Sequence, residues 1–215
     1  MEENQNPVSE GYYFATTVYR IEAKEHLDIA RIVALEYLKE SEKHGQCLNE
    51  MYPVRMTDNM FSDSRLHGLA SLIVQTSWNI LDAQGYQMDN LNTTFLSMWA
   101  QEHHKYSLME QHAHGQGAQL VGFYFLDIPE NANTRMMIYD PRPAKVQISL
   151  AEKDLSQITY GSNAVTFAAE PGTVLITNAW VPHSFSRNGS DEPVRFIHFN
   201  IGVERAQPQD GPEII

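Results

Sequence analysis

Two histidines one residue apart lie in the segment MEQHAHG, where His112 and His114 precede a glycine. Side chains at positions i and i+2 of a β-strand share a face, so both imidazoles can reach one point. A further histidine, His183, ends the segment GTVLITNAWVPH, which reads as a glycine turn, an apolar strand and Trp-Val-Pro. Imidazoles combined with oxygen ligands and open coordination positions suit non-haem Fe(II), so the sequence predicts an iron site.

An arginine follows the last of these histidines within the apolar segment VRFIHFNI. A charged residue in a buried strand is costly unless it meets an opposite charge. Arg195 would share one strand face with Ile197 and Phe199, while the alternate residues, including His198, face the other way. Because the face with Arg195 is otherwise apolar, we interpret Arg195 as an inward side chain that binds the carboxylate of an organic acid.

The elements that must position these residues fall into two parts. Residues 12–21 are aromatic and β-branched and predict a first strand, and the apolar spacing over 23–42 predicts a helix. A second helix is predicted from a cap at Asp63 or Ser64 to about Gln84, with Gly85 at its C-terminal end. After Gly85, short apolar segments alternate with turn residues, and we predict strands at 94–101, 109–114, 119–126, 135–139, 145–150, 164–168, 173–177 and 194–203.

This order predicts one mainly β domain, a barrel or sandwich, on which N-terminal helices pack. We divide the chain into residues 1–90 with the first strand and two helices, 91–205 with the β core, and a tail at 206–215. The formal net charge of −12 disfavours binding to duplex nucleic acid, which depends on Lys and Arg. Cys47 is the only cysteine, the start is polar and acidic, and no apolar run reaches membrane-spanning length, so we expect a soluble cytoplasmic protein.

Together these segments resemble the Fe(II)- and 2-oxoglutarate-dependent oxygenases, and in particular a branch of bacterial and phage proteins. The resemblance runs from about Phe95 to Val203. It rests on Trp99, HAHG at 112–115, GFYFL at 122–126, DPR at 140–142, PGTVLITNAWVPH at 171–183 and RFIHFN at 195–200. For a phage-encoded chain, the expected location is the cytoplasm of the host.

The resemblance implies a double-stranded β-helix, or jelly roll, whose mouth holds Fe(II), 2-oxoglutarate and O2. The 2-oxo acid end of 2-oxoglutarate would chelate the iron, and Arg195 would bind its distal carboxylate. Tyr124 would donate a hydrogen bond to 2-oxoglutarate from the neighbouring strand. Oxidative decarboxylation would give succinate and CO2, with hydroxylation of a substrate C–H bond as the usual outcome.

The third metal ligand departs from the superfamily pattern, which is His-x-Asp/Glu with a distal histidine. His114 stands at the carboxylate position and ranks first, which would make a three-histidine site closer to a cupin dioxygenase. Asp140 ranks second, although it also fits a turn cap, and Glu110 ranks third. Trp180 is either a pocket wall or a core residue, and Arg142 either faces substrate or pairs with a surface carboxylate.

The leading functional hypothesis is therefore an Fe(II)- and 2-oxoglutarate-dependent oxygenase that hydroxylates a substrate the sequence does not identify. The alternatives are a cupin-like three-histidine metal dioxygenase without 2-oxoglutarate, or a non-catalytic jelly-roll protein that binds metal. Arg195 discriminates the first two, since a cupin dioxygenase does not need that clamp. The expected partner is a small-molecule co-substrate, without a membrane, and the helical layer offers a surface for a homodimer.

Overall fold

The N-terminal part supplies one edge strand and two helices. The computed structural model describes residues 9–44 and 48–206, so Cys47 and residues 207–215 lie outside the described chain. Strand β1 spans Val18–Glu22 and is shorter than predicted, because Phe14 has a φ of 58° and cannot continue an extended strand. A 3-10 turn at Lys24–His26 then leads into helix α1, Leu27–Lys43.

The second helix is entered through a capped 3-10 turn. After the short strand β2, Val54–Met56, the Asp63 side chain accepts a hydrogen bond from the backbone N–H of Arg65. The 3-10 turn Ser64–Leu66 continues as helix α2, His67–Ala83. Gly85 follows with a φ of 89°, the left-handed conformation that commonly ends a helix and that glycine adopts without strain. Of the two predicted caps, the structure selects Asp63.

The remaining strands form two antiparallel sheets. They are β3 Leu91–His103, β4 Met109–His112, β5 Leu120–Asp127, β6 Arg135–Tyr139, β7 Ala164–Ala168, β8 Thr173–Asn178, β9 His183–Phe185 and β10 Val194–Arg205. The six-stranded major sheet has the order β1-β8-β5-β10-β3-β2, and the four-stranded minor sheet has the order β4-β9-β6-β7. The architecture is mainly β, with two added helices, as the sequence predicted.

Each face of the major sheet has its own core. Side chains of α1, α2 and one face of the sheet form the first cluster, which includes Ile197 and Phe199 of β10. The other face packs against the minor sheet through a second cluster that includes Phe123 and Phe196. Gly122 of β5 lies on the helix side, where a Cβ atom would meet the Phe199 ring and approach the Leu175 carbonyl to 2.9 Å. Glycine is therefore required there for the strands to pack.

One predicted strand is wrong and two strands were missed. Residues 145–150 do not form a strand; a 3-10 turn covers Pro143–Gln147, with a proline at its start that lacks a backbone donor. The missed strands, β2 and β9, have three residues each, too few for alternation to be recognised. No helix within the described residues combines the length and apolar character needed to cross a membrane.

Candidate metal centre

Four histidines converge between the two sheets. His112 of β4 pairs in register with His183 of β9 in the minor sheet, and His198 projects from β10 of the major sheet. His114 follows two residues after the end of β4. One potential ligand nitrogen from each ring lies within 4.8 Å of the corresponding nitrogen of every other ring. This spacing allows one metal ion to contact all four imidazoles after small side-chain shifts.

Burial keeps His114, His183 and His198 neutral. His183 and His198 are 0% and 1% exposed, and His112 and His114 are partly exposed at the mouth. Burial lowers the pKa of His183 to about 4, and that of His114 to about 4, in each case with a further lowering by neighbouring imidazoles. Burial likewise holds the pKa of His198 well below its usual value. Neutral imidazole is the form that ligates a metal, so the cluster is prepared for one at neutral pH.

The cluster also contains unsatisfied buried atoms. The Nε2 atoms of His114, His183 and His198 are buried and have no hydrogen-bond partner. A buried polar atom left without a partner costs about 1–3 kcal/mol, so three in one place require an explanation. A bound metal ion supplies it, because each Nε2 lone pair would become a ligand. Among the described residues, this group contains no carboxylate, and its all-imidazole donor set suits iron, zinc, copper or nickel.

The structure does not bring Arg195 to the histidines. Its guanidinium donates to Glu102 at 2.6 Å and to Asp127 at 3.2 Å. Arg195 shares a strand face with Ile197 and Phe199, as predicted. That face packs against the helices rather than against the minor sheet. The expectation that Arg195 faces the metal is corrected accordingly, because buried Glu102 and partly buried Asp127 supply its anionic partners.

Tyr124 lies on the same side of the major sheet as Arg195. Its hydroxyl donates to the backbone carbonyl of Ala23 at 2.8 Å, and its ring belongs to the helix-side core. The neighbouring residue Phe123 is the one that points between the sheets and contacts His183 and His198. The expected contact between Tyr124 and 2-oxoglutarate at the metal is therefore not available.

The alternative carboxylate ligands also lie outside the cluster. Asp140 accepts two hydrogen bonds from the Arg142 side chain, at 2.9 and 2.7 Å, and lies 3.3 Å from Lys145 Nζ. These contacts, the Arg142 hydrogen bond foremost, hold the pKa of Asp140 far below its usual range. The side chain of Glu110 is exposed at the surface. Neither prediction of a carboxylate third ligand agrees with these positions.

A cavity of about 710 Å³ lies next to strand β6, the strand that pairs with β9, and none of the four histidines lines it. Its floor includes Ile138, which pairs in register with His183 across β6 and β9. Its walls carry the aromatic rings of Tyr12 and Tyr160, which stack at 5.4 Å, and the Arg142 side chain. Trp180 is half-exposed in the turn between β8 and β9 and does not line this cavity. The volume lies within the range usual for small-molecule sites.

Sequence reasoning missed His198. The alternation of β10 already placed it opposite to Arg195, and a histidine in an otherwise apolar strand is itself a signal. Because Arg195 is charged, its face of β10, rather than the face with His198, was predicted to line the site. His198 is recognised only when the pairing of β10 between β3 and β5 shows which face meets the minor sheet.

Comparison with known proteins agrees with this architecture. Residues 97–200 match the sequence model of the family described as "Putative 2OG-Fe(II) oxygenase". The match includes all four histidines. No curated protein sequence gives a significant match to the chain.

Solved structures share the fold at low sequence identity. A Pseudomonas putida prolyl-4-hydroxylase aligns with a TM-score of 0.59 at 9% identity, covering 87% of this chain and 93% of that one. AviO1 from Streptomyces viridochromogenes Tue57 aligns with a TM-score of 0.61 at 12% identity, covering 90% and 92%. HygX from Streptomyces hygroscopicus, solved with nickel and 2-oxoglutarate bound, aligns with a TM-score of 0.57 at 13% identity, covering 87% and 83%. The fold of this chain is thus the double-stranded β-helix.

Proposed function

We propose that this protein is an Fe(II)- and 2-oxoglutarate-dependent oxygenase that hydroxylates an organic substrate, because residues 97–200 match the model of the 2OG-Fe(II) oxygenase family. The observation that carries the proposal is the convergence of four imidazoles between the sheets, three of which, those of His114, His183 and His198, have a buried Nε2 atom without a hydrogen-bond partner. His112, His114 and His183 would hold the iron. Iron and 2-oxoglutarate supply the chemistry, in which one oxygen atom of O2 enters a substrate C–H bond, the other enters succinate, and CO2 leaves.

The residues around the cluster support oxidation chemistry by excluding water. Phe123 packs edge-on against His183, with ring centroids 5.3 Å apart, and Phe185 and Phe196 stack behind it at 4.8 Å. This aromatic wall closes the interior side of the metal centre. Reagents therefore reach the metal from the mouth, where His112 and His114 are partly exposed. A dry interior limits side reactions of a strong oxidant.

The cavity next to strand β6 is the proposed site of organic ligands. Its cationic lining residue is Arg142, and Asp140 uses two of the five donors of that guanidinium. We assign the remaining donors to the distal carboxylate of 2-oxoglutarate, in place of Arg195. The aromatic rings of Tyr12 and Tyr160 would contact the substrate itself.

Succinate formation tests the function. Purified protein loaded anaerobically with Fe(II) is supplied with 2-oxoglutarate, ascorbate and O2, and succinate is measured. We expect succinate from the wild type, none from His183→Ala, and unchanged yield from His103→Phe, since His103 is a buried histidine outside the cluster. Anaerobic calorimetry of 2-oxoglutarate binding to the Fe(II) protein is the companion measurement. Absence of both binding and succinate in metal-loaded wild type would refute the proposal.

A second candidate is a metal dioxygenase that does not use 2-oxoglutarate. It is favoured by the all-histidine donor set and by the position of Arg195 on the helix side. In the same experiment, this candidate predicts O2 consumption by the iron-loaded protein in the presence of its substrate, independent of 2-oxoglutarate. Iron binding without 2-oxoglutarate binding would favour it over the first.

A further inference from the structure

His198 is the most restrained ring of the cluster. Its imidazole stacks on Phe123 with centroids 4.3 Å apart and an interplanar angle of 8°, and the Trp99 ring packs against it at 4.4 Å. The side chain is fully enclosed, yet its Nε2 atom has no partner. Phenylalanine would fill such an apolar slot without this cost. The presence of an imidazole here requires a ligand for its nitrogen.

Three of the four rings are oriented by a hydrogen bond from Nδ1 to a backbone carbonyl. The Nδ1 atom of His112 lies 2.8 Å from the Glu110 carbonyl, that of His183 lies 2.9 Å from the Val181 carbonyl, and that of His198 lies 2.9 Å from the Gly122 carbonyl. A carbonyl oxygen can only accept a hydrogen bond, so each Nδ1 carries the proton. The lone pair is thereby placed on Nε2 in all three. This is the outer-shell arrangement that fixes histidine ligands of metals.

His114 is not oriented by such a hydrogen bond to the backbone. It lies beyond the end of β4, and within the described part of the chain no backbone carbonyl accepts a hydrogen bond from its Nδ1. Its ring stacks on His183 with centroids 5.2 Å apart, so it remains within reach of the same metal ion. The side chain of Asn200, rather than a backbone carbonyl, is its hydrogen-bond partner, so the ring of His114 is held less rigidly than the other three.

We propose that His198 is a permanent metal ligand with His112 and His183, and that His114 is a fourth ligand that a chelating acid displaces. The inference rests on the proposed function for the identity of that acid. The acid would take the place of His114 on the metal ion, while the three histidines whose Nδ1 atoms donate to backbone carbonyls would stay bound. The fixed set is then an all-histidine counterpart of the triad with open positions known for non-haem iron.

Cobalt(II) binding tests the role of His198 independently of turnover. The variant His198→Phe keeps a ring between Phe123 and Trp99 but removes the ligand nitrogen. We expect its metal-free form to melt near the wild-type temperature, because the change removes both the unpartnered Nε2 atom and the Nδ1 hydrogen bond to Gly122. Its Co(II) affinity should fall by more than the roughly 100-fold that loss of an outer-shell partner costs. The matched control is His103→Phe, which replaces a buried histidine stacked on Phe196 at 5.2 Å and should leave Co(II) affinity unchanged.

Unchanged Co(II) affinity and visible spectrum in His198→Phe would overturn the assignment. The same question is answered in the wild type by heteronuclear NMR of the imidazole nitrogens with Zn(II), where Nε2 of His198 should shift and that of His103 should not. This measurement decides the matter if the variant fails to fold. Failure of the wild type to bind any of these metals would refute the proposed function itself and not merely the role of His198.

The displacement of His114 is tested by adding 2-oxoglutarate to the Co(II) protein. In the wild type the visible absorption should change as an imidazole leaves. The variant His114→Ala should retain Co(II) and bind 2-oxoglutarate at least as tightly as the wild type, because no ligand has to leave. A loss of Co(II) affinity in His114→Ala equal to that in His198→Phe would contradict the division into fixed and displaceable ligands.

Discussion

At the scale of single residues, Arg195 and His198 show how one strand supplies two separate sites. They lie three positions apart on β10 and on opposite faces. His198 therefore joins the histidine cluster, while Arg195 contacts Glu102 and Asp127. Glu102 is 4% exposed and is further contacted by Arg55 at 3.0 Å. Arg195 is thus a structural cation beneath the helical layer.

Replacement of Arg195 should lower stability. In Arg195→Met, Glu102 keeps Arg55 and His104 but loses its shortest contact, so we expect a loss of about 1–3 kcal/mol, below that of a fully buried pair broken outright. Urea unfolding at neutral pH measures it. Arg20→Met is the control, since Arg20 forms ion pairs that are largely exposed and should contribute little. Equal effects of the two changes would contradict the structural role of Arg195.

The pH dependence has a definite sign. Burial raises the pKa of Glu102, but the hydrogen bond and charge of Arg195, followed by His104, bring it below its usual value. The stability from ionised Glu102 is present above its unfolded pKa of about 4.3 and is lost as pH falls through the lower folded pKa. The difference between wild type and Arg195→Met should therefore shrink as the solution is acidified into this range.

At the scale of elements, long regular segments were predictable and short ones were not. Strand β6 and strand β7 have the predicted bounds, and both helices occur where apolar spacing indicated them. Strand β9 has only three residues and was not predicted. His183 was predicted as a ligand because it is a histidine, and not because its strand was recognised. The faces of β10 could be separated from sequence, but which face meets the second sheet depends on pairing between distant segments.

The cap of the 3-10 turn that leads into α2 provides a test at this scale. Asp63 Oδ1 accepts hydrogen bonds from both the backbone and the side chain of Arg65, at 3.0 Å each. Asp63→Ala should destabilise the protein by about 1 kcal/mol, the usual loss for a helix cap. Ser64→Ala removes the other predicted cap and should change the unfolding midpoint little. If Ser64→Ala had the larger effect in urea unfolding, the assignment of the cap would be reversed.

At the scale of the whole molecule, the histidine cluster joins the two sheets. His112 and His183 belong to the minor sheet, whereas His198 belongs to the major sheet that carries the helices. A metal ion bound to all three would link the two layers across the interior. Metal binding and folding stability should consequently be coupled throughout the described fold.

Thermal unfolding measures that coupling. At a metal concentration 100 times the dissociation constant, about 2.7 kcal/mol of added stability should raise the Tm by about 5–10 °C. Zn(II) or Co(II) is a suitable probe, and a chelator should reverse the shift. His183→Ala should show no shift, while His103→Phe should show the wild-type response. A metal-independent Tm in the wild type would exclude a link between the sheets.

The cavity wall consists of different parts of the chain from those that hold the metal. Tyr12 and Tyr160 come from the segment before β1 and from the connection between β6 and β7, whereas His112, His183 and His198 lie in strands. If the cavity binds the substrate as proposed, we expect changes in the two wall segments to alter what it accepts without moving the histidine cluster. Evolution and laboratory selection can therefore vary specificity here by exchanging loops on an unchanged reactive centre.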